Sequence, residues 1–213
     1  GLLAVGGACV VVDQGQAWHI GEGSVPTKLP PEGASALCET ANGFAIAGER
    51  ELLRFDGSGR LTTRSPIDAG ATAILVDGEV TLLGFRSGNM ESLDRSVGLT
   101  FERTPPSPVL RMLAGPGGTL FAGFGNGGVG LWDRTTGALL HHSRLHGPVR
   151  HAALAGRWLY AASELGDVIS WDLSTFDRSH CELLGEVWPN VPTWWLSGRA
   201  QLHAMPDHAC RDR

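Results

Sequence analysis

An all-β fold made of repeated four-stranded antiparallel sheets is what the sequence predicts, on three observations. The 213-residue chain carries 30 glycines, a density that punctuates tight turns rather than long helices. Five segments align on one aspartate, at Asp13, Asp56, Asp94, Asp133 and Asp172, in steps of 43, 38, 39 and 39 residues. Within each step, short β-prone runs alternate with Gly-containing turns, and four strands with three turns in about 40 residues make one blade of a β-propeller.

The units follow in order. The one near residues 1–33 starts at Gly1, inside the second-strand position of the others, so it lacks an innermost strand; its Val10–Val12 run leads into Asp13. The unit near 34–68 turns at Asn42-Gly43 and reads on to Asp56. The unit near 69–107 has a strand at Ala71–Val76 and a turn at Asp77-Gly78 before Asp94. The unit near 108–147 has Val109–Leu113, a turn at Gly117-Gly118 and then Asp133. The unit near 148–178 has Val149–Leu154, a turn at Gly156 and then Asp172.

Asn-Gly and Asp-Gly supply the positive φ angles that tight hairpins need. Short β-branched and aromatic runs such as Val168–Trp171 belong to strands buried between stacked sheets. A blade cannot bury both faces alone, so its neighbours must cover it. The recurring aspartate most simply caps the turn that follows it. Seven blades at this period need ~280 residues; missing upstream blades are favoured over a smaller ring, and Gly1 reads as the start of a processed, tagged or truncated product.

Residues 179–213 form a tail of different character. Cys181–Trp188 places Leu183, Leu184, Val187 and Trp188 on one helical face before Pro189. Thr193–Leu196 and Gln201–Ala204 flank Ser197-Gly198-Arg199 as a hairpin. Such a hairpin serves to close the ring, by completing the first blade or docking on the flank.

At this point the residues carry a family resemblance. Leu131-Trp132-Asp133 and Ser170-Trp171-Asp172 resemble the Trp-Asp pair of WD40 repeats, and His146-Gly147 stands where that family keeps its Gly-His pair. The resemblance covers roughly residues 1–180. Trp gives way to Val12, Phe55 and Leu93 elsewhere, and the turn between second and third strands reads Asn126-Gly127-Gly128 or Glu164-Leu165-Gly166, without the family's aspartate. A degenerate, bacterial-type WD40-like propeller is implied, with hydrogen bonds of the family's tetrad missing. It implies a rigid module that engages protein partners through loops at one end of its channel. On that ground Arg50, Arg86, Asn126, His146 and Glu164 are the contact candidates.

The bulk numbers exclude several classes. A net charge of −5, with Lys28 the one lysine and the arginines scattered, argues against a nucleic-acid surface. No apolar run reaches the ~20 residues that span a bilayer. Cys9 sits in an apolar start, but no basic stretch precedes it, so a lipoprotein signal is disfavoured. Four dispersed cysteines, Cys9, Cys38, Cys181 and Cys210, read as reduced thiols in a cytoplasm.

Candidate chemistry is thin. Cys181, His203, His208 and Cys210 have donor types that suit zinc, but they lack paired knuckles and lie in a polar terminus, so no metal is favoured. Gly123-Phe124-Gly125-Asn126-Gly127-Gly128 matches a dinucleotide-binding pattern, yet a strand follows it where a helix is required, so no cofactor is expected. His141, His142, His146 and His151 cluster around one connection and read as solvated side chains rather than a pH- or metal-responsive patch. The expected function is a non-catalytic protein-interaction scaffold in a bacterial signalling or defence assembly. The alternatives are a metal-dependent propeller hydrolase or lactonase, and one fragment of a propeller completed by another chain.

Overall fold

A computed structural model describes residues 1–5, 7–93, 101, 106–190 and 193–202. Five antiparallel sheets succeed one another along the chain. The first holds β1 (Leu2–Val5), β2 (Ala8–Asp13), β3 (Gly15–Ile20) and β4 (Thr27–Ala34); the second β5 (Ala36–Thr40), β6 (Gly43–Ala47), β7 (Glu51–Asp56) and β8 (Leu61–Pro66). The third holds β9 (Ala71–Asp77), β10 (Val80–Phe85) and β11 (Met90–Ser92). The fourth is β12 (Val109–Ala114), β13 (Thr119–Phe124), β14 (Gly128–Asp133) and β15 (Leu139–Arg144). The fifth is β16 (Val149–Ala155), β17 (Trp158–Ser163) and β18 (Val168–Asp172). Strands pair in chain order, and this is the propeller pattern the sequence predicts.

The recurring aspartate shows how the units line up. It ends β7, β14 and β18, each third in its sheet, whereas Asp13 ends β2, the second. The first sheet therefore starts one strand late and regains its fourth member by adding β4 outside β3. Nothing in Lys28-Leu29-Pro30-Pro31 predicts a strand; prolines are tolerated there because β4 is the edge strand of its sheet, with no ladder to feed on its far side among the described residues.

The fifth unit, expected to hold four strands, has three. Asp172 Oδ1 accepts the Ser174 N–H at 2.9 Å, and Ser174–Asp177 winds into a 3-10 turn instead of a strand. That turn is anchored by Phe176, whose carbonyl oxygen sits so close to Gly117 that a Cβ there would lie 2.1 Å away. The fourth-strand region of the third unit, including Asp94, lies outside the described residues except for Phe101.

Each gap between consecutive sheets has its own apolar core. Val10, Val12 and Leu29 meet Phe44, Leu53 and Phe55 between the first and second sheets. Ala45 and Leu52 meet Ile74 and Leu83 in the next gap, and Leu82 and Met90 meet Val109, Leu120 and Trp132 in the one after. Phe121, Val129 and Leu131 meet Val149, Leu159 and Ala161 in the last. Close approach needs small residues: a Cβ on Gly84 would lie 2.7 Å from Val109, and one on Gly123 would lie 2.6 Å from Val149. The innermost strands β5, β9, β12 and β16 are successive neighbours. Together with Gly1–Leu3 and Val12 of the first sheet they line an axial cavity of about 470 Å³.

The tail holds α1 (His180–Val187) and a separate two-stranded sheet of β19 (Thr193–Leu196) and β20 (Arg199–Leu202). Ser179 caps α1 reciprocally: the Glu182 N–H donates to Ser179 Oγ at 3.3 Å, and the Ser179 N–H donates to Glu182 Oε2 at 2.7 Å. The hairpin turns in two residues, Ser197 and Gly198, both at positive φ, so its second strand begins at Arg199 rather than Gln201.

Candidate functional site

Four of the five contact candidates occupy equivalent turns: Arg50 between β6 and β7, Arg86 between β10 and β11, Asn126 between β13 and β14, and Glu164 between β17 and β18. His146 lies on the connection from β15 to β16. The structure brings three of them onto neighbouring segments. Asn126 and His146 line one shallow groove of about 540 Å³ with Arg144, Leu145, Gly147 and Leu165, and Glu164 precedes Leu165 in its turn. Arg50 and Arg86 are exposed on the corresponding turns of the second and third sheets and do not line that groove.

Hydrogen bonds hold this part of the rim in shape. Asn126 Oδ1 accepts the Gly128 N–H at 2.9 Å, and the Asn126 N–H donates to the buried Ser107 Oγ at 2.8 Å. Arg150 Nε donates to Glu164 Oε2 at 2.8 Å, while the Glu164 N–H donates to the Pro148 carbonyl at 2.8 Å. Leu165 stands 73% exposed beside these polar groups. Its side chain leans over Gly147, where a Cβ would meet Leu165 Cγ at 2.8 Å.

Sequence reading missed Asp167. Its Oδ2 accepts the His146 backbone N–H at 2.8 Å and lies 2.7 Å from His146 Nδ1, while its own N–H donates to Ser163 Oγ at 3.2 Å. The backbone N–H of His146, then its ring, hold the Asp167 carboxyl below the usual carboxylate range. Hydrogen bonds of the kind expected to be missing are therefore present between His146, on the connection into the fifth sheet, and Asp167, because the turn extends one residue past Gly166. The signal was an acidic residue directly after that glycine, five before Asp172. The fourth sheet has Gly128 at the equivalent place, and there Asn126 and Ser107 hold the turn instead.

The repeat aspartates do local work. Asp56 Oδ1 accepts from Ser58 Oγ, the Ser58 N–H and the Arg60 N–H. Asp133 Oδ1 accepts the N–H groups of Thr135 and Thr136 at 2.7 and 2.8 Å. Asp13 differs, because its hairpin closes in two residues, Gln14 and Gly15, both at positive φ, leaving no longer turn to cap. The bonds to Asp56 and Asp133 lower both carboxyl pKa values, through the Ser58 hydroxyl first in one and the Thr136 N–H first in the other. Trp132 is fully buried edge-on to Phe124, while Trp171 is half-buried between Phe121 and His141.

The remaining candidates disperse. His141 and His142 lie on β15, His146 on the connection after it and His151 on β16. Gly123–Gly128 spans a strand-to-strand turn. Cys9 and Cys38 are free thiols, and burial pushes the Cys38 thiol up. Cys181 is disulfide-bonded, which corrects the expectation of four reduced thiols and leaves that sulfur no thiolate for zinc. His203, His208 and Cys210 lie outside the described residues. Among the described residues no three His, Cys, Asp or Glu side chains are grouped to hold a metal, and no helix is long and apolar enough to cross a membrane.

No family model and no curated protein matches the chain. Solved structures do. The computationally designed Ika8 protein matches with a TM-score of 0.62 at 16% identity, over 80% of this chain and 57% of that one. BamB from Moraxella catarrhalis matches with a TM-score of 0.56 at 18% identity, over 82% of this chain and 58% of that one. The designed Ika4 protein matches with a TM-score of 0.54 at 16% identity, over 66% of this chain and 91% of that one. The chain thus spans less than two thirds of the first and second of these. Likeness at such identity establishes the fold alone.

Proposed function

We propose that this chain is a non-catalytic, degenerate WD40-like protein-interaction scaffold. Its contact surface is the rim groove between the fourth and fifth sheets. The observation that carries the reading is the makeup of that groove. An exposed apolar knob, Leu165, and a buried apolar floor, Leu145, stand beside Arg144 and His146 on turns pinned by Asp167 and by the Arg150–Glu164 pair. Apolar anchors ringed by hydrogen-bonding groups on rigid supports are what protein interfaces use. A place in a bacterial signalling or defence assembly is the context in which we read it, by analogy of fold.

A photo-crosslinking residue at Leu165, with one at Thr63 on the exposed β8 as control, tests the assignment. One dominant protein adduct from Leu165 alone is expected; equal labelling at both positions rejects it. Alanine replacement of Arg50, Arg86, Asn126, His146 and Glu164 as sets separates the groove trio from the other two. Loss of the adduct is expected from the trio alone.

Cysteine chemistry bears on the compartment, which sequence alone reads as the cytoplasm. A bond at Cys181 persists where the surroundings oxidise thiols, whereas a cytoplasm keeps them reduced. Thiol titration of denatured chain, prepared without reductant from its source, decides between them: four thiols place it in the cytoplasm, two outside.

A further inference from the structure

Arg111 and Arg150 both line the axial cavity, beside Ser35–Glu39 of the second sheet and Thr72–Ile74 of the third. Both stand near the starts of β12 and β16, the end of the channel where the β15–β16 connection and its rim groove lie. The hydroxyls in this cavity are already committed: Ser35 Oγ donates to the Ala71 carbonyl at 2.6 Å, and Thr72 Oγ1 to the Gly84 carbonyl at 3.2 Å. The guanidiniums are not. A guanidinium has five N–H donors. Arg111 spends one on the neighbouring Leu110 carbonyl at 2.8 Å and, among the described residues, forms no ion pair. Arg150 gives its Nε–H to Glu164 and, among the described residues, keeps its terminal nitrogens. Both arginines are exposed at the cavity mouth; desolvation of Arg111 first, and the positive charge of Arg150 beside it second, disfavour its charged guanidinium, a cost that an anion placed between the two cations would relieve.

We infer that the mouth of the channel is a carboxylate-binding site in which Arg111, helped by Arg150, clasps a ligand carboxylate through paired N–H donors. A planar guanidinium fits a carboxylate in bidentate fashion, and charge-assisted bonds of this kind are the strong ones. The carboxylate comes either from a small dicarboxylic acid or from an acidic residue of a partner seated on the rim. The second source rests on the proposed scaffold role; the site itself does not.

Calorimetric titration of the full chain at low salt, with succinate in one arm and an Asp/Glu-rich hexapeptide in the other, tests it. Saturable binding in either arm is expected, weakened by about tenfold or more in Arg111→Gln. Glu164→Gln, which releases Arg150, should tighten it severalfold. Melting curves that match the wild type show that the variants remain folded. No saturable binding in both arms, or binding that Arg111→Gln leaves unchanged, overturns the site. Success with succinate alone assigns a small-molecule ligand, and success with the peptide assigns a partner's acidic residue. Failure here leaves the Leu165 crosslink free to succeed, so the two readings fall separately.

Discussion

Phe121, Val129 and Leu131 of the fourth sheet precede Tyr160, Val168 and Ser170 of the fifth by one 39-residue step. The first three are buried, whereas Tyr160 is 42% and Val168 67% exposed. The strands themselves are alike, since β13 pairs β14 and β17 pairs β18 in the same register. What differs is the neighbour. The fourth sheet is covered on both faces, by the third and the fifth; the face of the fifth that carries Trp158, Tyr160 and Val168 has no sheet against it among the described residues. Local sequence thus decides that a strand forms, while the adjoining blade supplies most of its burial, as nearest-neighbour energetics of repeat folds require. The glycines agree: Gly84 and Gly123 admit the next innermost strand, and their counterpart one step on is Ala162, with no such strand packed against it among the described residues.

The largest expected effect sharpens that contrast at the two tryptophans. Trp132→Ala empties a fully enclosed site against Phe124 and should cost about 3–5 kcal/mol. Trp171→Ala, at a half-buried site, should cost roughly half as much, since less area leaves water there on folding. Urea midpoints measure both. Equal shifts would break the idea that position in the stack sets the energy.

Next in size is a pair of turn glycines, again 39 residues apart. Gly127 and Gly166 both hold positive φ, +85° and +92°, so alanine at either is strained by about 1–2 kcal/mol. At Gly127 the new Cβ would also lie 2.1 Å from the Leu145 carbonyl oxygen, whereas at Gly166 it meets open space. Gly127→Ala should therefore destabilise clearly more and distort the rim groove, because the Leu145–Gly147 connection has to move. A Leu165 crosslink that survives Gly127→Ala at full yield would show that the groove tolerates this shift.

Much of this architecture was legible in the sequence, for a physical reason. Tight hairpins need Gly, Asn or Asp at positive φ, and buried strands need β-branched and aromatic residues, so the period and the aspartates were visible at once. β4 was not, because its Pro30-Pro31 pair opposes strand formation and only an edge position tolerates it. The missing fourth strand of the fifth sheet was not either: Ser174–Asp177 owes its turn to Asp172 and to the fit of Phe176 against Gly117, a contact between distant segments. At the rim, residue type alone pointed to His146 but not to Asp167, whose role depends on the turn that brings it back to the preceding connection. The pairing of Arg111 with Arg150 in one cavity came only from the stacking of β12 beside β16.

A smaller effect separates two valines at equivalent positions. Val129→Ala removes fully buried methyl groups and should cost about 2 kcal/mol. Val168→Ala, on the open face, should stay within about 0.5 kcal/mol. A large loss at Val168 would mean that the exposed face is covered in solution, and a dependence of that loss on protein concentration would identify the cover as another molecule.

The smallest effect is one of pH, and it contrasts the same two sheets at their turns. The fourth sheet's turn is held by neutral groups, Asn126 and Ser107, and the fifth's by the Asp167 carboxylate bound to His146. A carboxyl whose pKa is lower folded than unfolded adds stability above its unfolded value. That stability is lost as pH falls through the folded value, and below both it is gone. Asp167 is solvent-exposed, so the change is modest. Carboxyl chemical shifts between about pH 7 and pH 2 should place Asp167 below an ordinary aspartate. Asp167→Asn should flatten the part of the acid limb that this group contributes, whereas Asn126→Ala should lower stability by the same amount at every pH in that range. An acid limb identical in wild type and Asp167→Asn would mean that the His146 contact forms equally with the protonated carboxyl, and the two turns would then differ in sequence but not in electrostatics.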